Sequence, residues 1–162
     1  MARDYLRLAY WMAPWSARLD ALVDSVVARK RGELAAAGVV VSVAGGELFA
    51  FVDPALVARV LENLVDNAAR AAARGGAIRI AMRAVAECVE IAVEDDGSGI
   101  DPALGAKLFL PFVSGGGGSG LGLFFVRQVV AAHDGEVEAG SSEMGGARLT
   151  IRLPAGSRRA DA

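Results

Sequence analysis

Cysteine is nearly missing from this chain: Cys88 is the one thiol in 162 residues. A small fold stapled by disulfides is thereby excluded, and a lone thiol agrees with a reducing compartment, so a cytoplasmic location is expected. A surplus of either charge is missing too, with 17 basic against 19 acidic side chains and a net charge of −2. Binding to a nucleic-acid backbone needs a clustered basic surface, so no nucleic-acid partner is expected and any phosphate must be held locally. Long apolar runs are also lacking. The positive mean hydropathy of +0.39 owes much to alanine, and no run approaches the ~18–20 residues that would span a bilayer. The opening segment, 1–17, carries Tyr5, Leu6, Leu8, Tyr10, Trp11, Met12 and Trp15 but is broken by Arg3, Asp4 and Arg7, and no small-residue cleavage site follows. It does not read as a signal peptide. It predicts a linker or a helix packed on a neighbouring element, with a partner-facing or membrane-surface aromatic patch as the alternative. Disorder is excluded by the 54% of residues in the hydrophobic class, enough for one domain with a core.

What the chain has in quantity is glycine, 20 residues that are not evenly spread. Between them the periodicity predicts a helix over 17–37 on Leu19, Leu22, Val23, Val26, Val27 and Leu34, closed by Gly38. Residues 39–44 and 47–52 read as two strands joined by a tight turn at Gly45-Gly46. Asp53-Pro54 pairs a cap with a proline at the first helical position and opens a helix to about Arg74. Strands follow at 77–85 and 88–94, then a short helical stretch at 102–109, a glycine loop at 115–120, a helix at 121–133, and strands at 136–139 and 147–153. The end of the chain, from Pro154, reads as frayed. Strands and helices mix without strict alternation, which predicts a mixed sheet with helices on one face.

Three segments carry residues that a bland fold does not require. In the helix from Asp53, the residues Val57, Val60, Leu61, Leu64 and Ala68 share one face, while Asn63, Asn67, Arg70 and Arg74 form a stripe opposite. A polar face is ordinary, but asparagine is a poor helix former, and two of them four residues apart cost several tenths of a kcal/mol each, to order of magnitude. An amide carbonyl is a hard, neutral ligand suited to Mg²⁺ that already carries nucleotide phosphates, and an arginine one turn on neutralises phosphate charge. The second segment is Asp95-Asp96-Gly97-Ser98-Gly99-Ile100 at the end of a strand. Alternate glycines admit a flat ligand close to backbone, and the carboxylate accepts a hydrogen bond from an exocyclic amine such as that of adenine. An ordinary strand-to-helix turn explains Asp101 and Pro102 but not the two aspartates and two glycines before them. An EF-hand is excluded by ligand spacing.

The third segment concentrates glycine: Gly115, Gly116, Gly117, Gly118, Gly120 and Gly122. A loop of this kind entering a helix presents backbone N–H groups and the positive end of the helix dipole to an anion. It is not a Walker A loop, since the Gly-Lys-Ser/Thr ending is absent and the nearby lysine, Lys107, lies upstream. A dinucleotide fingerprint from Gly115 to Gly120 with Glu138 is discounted, because Pro111 argues against a buried parallel strand before it.

Taken in order, these segments resemble the ATP-binding domain of the histidine kinase, gyrase, Hsp90 and MutL superfamily, most closely the catalytic domain of bacterial sensor histidine kinases. Residues 61–70 (LENLVDNAAR) resemble the N box, 95–100 (DDGSGI) the G1 box, 108–112 (LFLPF) the F box and 118–123 (GSGLGL) the G2 box. The resemblance implies an α/β sandwich of the Bergerat type, a mixed and mostly antiparallel sheet with about three helices on one face, spanning 18–154. It implies ATP and Mg²⁺ as cofactors. Asn67 would ligate the metal, Asn63 would support metal or phosphates as the catalytic residue, Arg70 would reach the phosphates, and Asp95 would bind the adenine amine. Gly97, Gly99, Ile100, Gly118, Ser119, Gly120, Leu121, Gly122 and Leu123 would complete the nucleotide site.

The chain departs from that pattern in two places: its lid, between Phe112 and Leu121, is short and carries no basic residue, and Gly145-Gly146-Ala147 lacks the threonine some relatives place beside adenine. His133, the single histidine, sits where such kinases often have a structural one. The acceptor is therefore expected on another domain or chain. The resemblance implies a histidine-bearing dimerisation domain and, through it, a response regulator as partners, a monomeric isolated domain within a homodimeric kinase, and a cytoplasmic setting that includes the cytoplasmic part of a membrane sensor. Two other readings remain open here: an anti-sigma-factor-type serine kinase, and a nucleotide-binding or docking module without transfer activity.

Overall fold

The computed structural model describes residues 14–72, 74–113 and 118–157. Chain order is β1 (Trp15–Arg18), α1 (Leu19–Ala36), β2 (Val40–Ala44), β3 (Phe49–Val52), α2 (Pro54–Ala71), β4 (Ala77–Val85), β5 (Cys88–Asp95), a 3₁₀ helix (Gly105–Phe109), α3 (Gly122–Ala132), β6 (Glu136–Ser141) and β7 (Ala147–Pro154). Five strands form one sheet in the order β2-β4-β5-β7-β6, with β2 parallel to β4 and every other pair antiparallel. β1 and β3 form a separate antiparallel pair. This is the mixed, mostly antiparallel sheet with three helices on one face that the resemblance implies.

Burial explains the layering. Ile78, Ile80, Met82, Val89, Ile91, Val93, Leu149, Ile151 and Leu153 alternate along β4, β5 and β7 and pack in one core with the buried residues of the helices, as period-2 strands facing helices require. α2 supplies Leu56, Val57, Val60, Leu61, Leu64, Val65 and Ala68. Its start is fixed locally: Asp53 Oδ1 accepts from the N–H groups of Ala55 (3.0 Å) and Leu56 (3.2 Å), and Pro54 takes the first turn. His133 anchors the same corner. The Asp53 N–H donates to Nε2 of His133 at 2.9 Å, so the ring proton sits on Nδ1, which donates to the Val129 carbonyl at 2.7 Å. This buried neutral imidazole ties the end of α3 to the start of α2, the structural role expected of it.

The opposite sheet face is a lattice of ion pairs. The register sets Arg79, Glu94 and Arg148 in one row and Arg83, Glu90 and Arg152 in another. Glu94 meets Arg79 at 2.7 Å, and Glu90 meets Arg83 at 2.9 Å and Arg152 at 3.0 Å. Both glutamates are 3% exposed. Burial pushes their carboxyls up, but the arginine hydrogen bonds outweigh it and hold both below the ordinary glutamate value.

Several expectations are corrected. Residues 39–52 are not a hairpin: β2 runs parallel to β4 and β3 pairs with β1. Alternation specified two strands but not their partners, and residues 45–48 carry the chain from one sheet to the other. The first helix begins at Leu19 because Trp15–Arg18 is already hydrogen-bonded to β3. Of the opening segment expected to pack as a helix, Trp15, Ser16 and Ala17 therefore lie in a strand, and 1–13 fall outside the described residues. α2 stops at Ala71, where Ala72 turns extended toward Gly75, so Arg74 leaves the stripe. The helical stretch at 102–109 is reduced to a 3₁₀ turn from Gly105. Fraying does not begin at Pro154: the Ala155 N–H donates to the Glu87 carbonyl, the Gly156 N–H donates to Phe49, and the Ser16 hydroxyl donates to the Ser157 carbonyl. Arg158 and Arg159 lie outside the described residues.

Candidate nucleotide-binding site

A cleft of about 630 Å³ opens between α2, the turn after β5, the 3₁₀ helix and the start of α3, a volume in the range of small-molecule sites. One wall is the polar stripe of α2: Asn63, Asn67 and Arg70, with Ala71. Facing it are Ser98, Gly99, Ile100, Asp101 and Pro102. The far side is Gly118, Ser119, Gly120, Gly122 and Leu123, and Leu104, Leu108, Val113 and Ala147 make the apolar remainder. Three segments that lie far apart in the sequence thus share one cavity.

Asp95 sits beneath the cleft and is 2% exposed. Its Oδ1 accepts from the N–H groups of Gly97 (2.9 Å) and Ala147 (3.2 Å), while Oδ2 takes no hydrogen bond from the described residues. One carboxylate oxygen is fixed by backbone and the other is left for a donor. Close packing explains the neighbouring glycines. A Cβ on Gly146 would stand 2.2 Å from Asp95 Oδ1, and one on Gly97 would stand 2.2 Å from the Ala71 carbonyl oxygen, distances no side chain tolerates. Gly97 therefore lets the turn press against the end of α2, and Gly146 lets β7 press against Asp95.

On α2, Asn63 Nδ2 donates to the Arg59 carbonyl at 3.0 Å. Its Oδ1 lies 3.1 Å from the place a Cβ on Gly122 would take, at the first turn of α3. The Asn67 amide makes no hydrogen bond with the described residues and lines the cleft as an available oxygen ligand. Arg70 lays its guanidinium against Gly118, 3.5–3.7 Å from that residue's absent Cβ position, and is the one cation among the described cleft-lining residues. The lid is stapled at its base, where the Phe112 N–H donates to the Gly120 carbonyl at 3.0 Å and the Leu121 N–H to Ser119 Oγ at 3.4 Å.

Of the residues expected at the site, Asn63, Asn67, Arg70, Gly99, Ile100, Gly118, Ser119, Gly120, Gly122 and Leu123 line the cleft. Asp95 and Gly97 underlie it, and Leu121 is an exposed cap residue of α3 that does not line it. Gly115, Gly116 and Gly117 lie outside the described residues. The sequence reading missed Ala71, Ser98, Asp101, Pro102, Leu104, Leu108, Val113 and Ala147 as lining groups, and Gly146 as the backing of Asp95. The pair Gly145-Gly146 between two strands was the one signal for the last of these, but a hairpin turn explains it equally well.

Residues 52–157 match the sequence profile of histidine kinase-, DNA gyrase B-, and HSP90-like ATPases. The chain is 39% identical over 101 residues to the alginate biosynthesis sensor protein KinB of Pseudomonas aeruginosa, covering 60% of this chain and 17% of that protein. It is also 39% identical over 110 residues to the sensor-like histidine kinase SenX3 of Mycobacterium tuberculosis, covering 64% and 27%. It therefore spans about a quarter or less of these curated relatives. Among solved structures it resembles the mycobacterial sensor histidine kinase MprB, with a TM-score of 0.82 at 25% identity over 89% of this chain and 99% of that one. The catalytic domain of histidine kinase ThkA gives 0.84 at 25% identity, over 90% and 97%. The profile match extends over well more than half of the chain and contains every segment that builds the cleft, so the chain belongs to the family of histidine kinase-, DNA gyrase B- and HSP90-like ATPases.

Proposed function

We propose that residues 18–154 are the catalytic, ATP-binding domain of a two-component histidine kinase, passing the γ-phosphoryl group of Mg-ATP to a histidine carried on another domain or chain. The observation that carries this reading is the convergence of the α2 stripe, the turn after Asp95 and the glycine lid on one cleft. In it, Asp95 Oδ2 accepts from the adenine amine, and its orientation is set in advance by the two backbone bonds to Oδ1. Ile100, Leu104, Leu108 and Leu123 exclude water from the base. Arg70 and the N–H groups of Gly118, Ser119 and Gly120 and of the first turn of α3 meet the phosphates.

The donor set fits Mg²⁺: Asn67 offers a neutral amide oxygen at the cleft wall and would hold a hard ion of this kind. Asn63 lies one turn before Asn67 and supports that metal or the phosphates. When bound, the ion would supply charge neutralisation to the phosphates, and the chain supplies positioning, the main share of catalysis in phosphoryl transfer. The partners would be a histidine-bearing dimerisation domain and a response regulator, with the domain facing the cytoplasm; no described helix is long and apolar enough to cross a membrane.

The test is transfer from [γ-³²P]ATP and Mg²⁺ to a separately purified helical hairpin bearing the histidine of a sensor kinase. Label on the hairpin that is lost in acid and kept in alkali is expected. Acid-stable label would favour the serine-kinase reading, and absence of ATP binding by the folded protein at millimolar nucleotide would overturn both.

A further inference from the structure

The two edges of the main sheet are built differently. β6, one edge, carries Glu136 and Glu138, 77% and 61% exposed at their side chains, the charged protection that edge strands ordinarily have. β2, the other edge, reads Val-Val-Ser-Val-Ala, with no charge, no proline and no bulge against β4. Val40 and Val43 are 67% and 38% exposed. Among the described residues β2 has a strand neighbour on one side only.

The parallel register decides what that edge offers. The Val40 N–H donates to the Gly76 carbonyl on the β4 side, so Val40, Ser42 and Ala44 direct their backbone groups toward β4, and Val41 and Val43 direct theirs outward. Two outward residues flanking one inward residue form a self-complementary set. An antiparallel copy centred on Ser42 would pair Val41 with Val43 of the second copy, and Val43 with Val41, each pair exchanging two hydrogen bonds. All four outward groups are satisfied. The side-chain pairs that result, Ser42 on Ser42, Val40 on Ala44 and Val41 on Val43, contain no charge, so nothing opposes them.

We propose that β2 is a self-association edge, joining two copies of this chain about a twofold axis at Ser42 into one continuous sheet. Five residues a side bury little surface, so the pairing is weak and shows only toward the roughly millimolar chain concentrations that short linkers impose. In a homodimeric kinase, linkage of two such domains would supply local concentrations of about that size; that consequence alone rests on the proposed function.

The experiment is sedimentation equilibrium of the full chain from about 10 µM to about 1 mM, on wild type, Ser42→Lys, Ser42→Glu and an equimolar mixture of the two variants. Ser42 is exposed and lies beside Arg79 in the register, so the glutamate variant keeps a folded reference if lysine there is poorly tolerated; circular dichroism checks both. In the central pair, which is not hydrogen-bonded, side chains are closest, at a Cα separation of about 4.5 Å, so two like charges repel strongly. The expected result is a wild-type mass that rises from 16.7 kDa toward twice that value, loss of the rise in each variant alone, and its return in the mixture. A wild-type monomer up to 1 mM overturns the proposal, as does association that Ser42→Lys leaves unchanged or that the mixture fails to restore.

Discussion

Replacing Asp95 by asparagine separates the two duties of that side chain. Oδ1 accepts from Gly97 at 2.9 Å and Ala147 at 3.2 Å, and an amide can keep both bonds only by placing its oxygen there. The NH₂ group is thereby forced into the Oδ2 position, where, on the proposed function, it would face the adenine amine donor against donor. Loss of a charged acceptor together with an unmet donor costs about 3 kcal/mol, roughly 100-fold in Kd. Because the backbone bonds survive as neutral ones, the fold should lose only about 1 kcal/mol, or about 2–4 °C in Tm. Isothermal titration with Mg-ATP and with Mg-inosine triphosphate reads the effect. The inosine base carries a carbonyl where adenine has its amine, so Asp95→Asn should weaken ATP and strengthen inosine triphosphate relative to it. ATP affinity within threefold of wild type in a folded Asp95→Asn variant would refute the assignment of Asp95 to the base.

Asn67→Ala removes the amide oxygen proposed to hold the metal and is expected to abolish measurable Mg-ATP binding at millimolar nucleotide while leaving Tm within a few degrees, read by titration and melting. Gly146→Ala drives a methyl to within 2.2–2.6 Å of Asp95 and of the Gly97 nitrogen; it should cost about 1–3 kcal/mol of stability in denaturant titration and weaken ATP as well. Glu90 and Glu94 are held below the ordinary glutamate value of 4.5, so their ion pairs stabilise the fold fully above that pH, and the contribution is lost as pH falls through the lowered values. Melting curves from pH 7 to 3 should show this acid-sensitive component, and Glu90→Gln should be less stable at pH 7 with a flatter acid limb.

How much of this was legible in the sequence depended on whether a residue's role is local. The Asp53-Pro54 start, the apolar faces of α1 and α2, and the alternation along β4 and β5 follow from hydrogen bonds and periodicities that a short stretch contains, and all were readable. The stripe Asn63, Asn67 and Arg70 stood out for the same reason, since two asparagines in mid-helix oppose local propensity. Strand partnership is not local. Nothing in Val39 to Val52 says that β2 lies parallel to β4 while β3 joins β1, because alternation fixes which residues face the core but not which strand lies alongside. The same holds for the site: the sequence named the three segments that line the cleft, and tertiary packing alone decided that Asp95 is locked by Ala147 from 52 residues away, that Gly146 must be bare to allow it, and that Arg70 lies against Gly118. Those facts arise where elements remote in the chain come within van der Waals contact, a constraint carried by space and not by sequence neighbours.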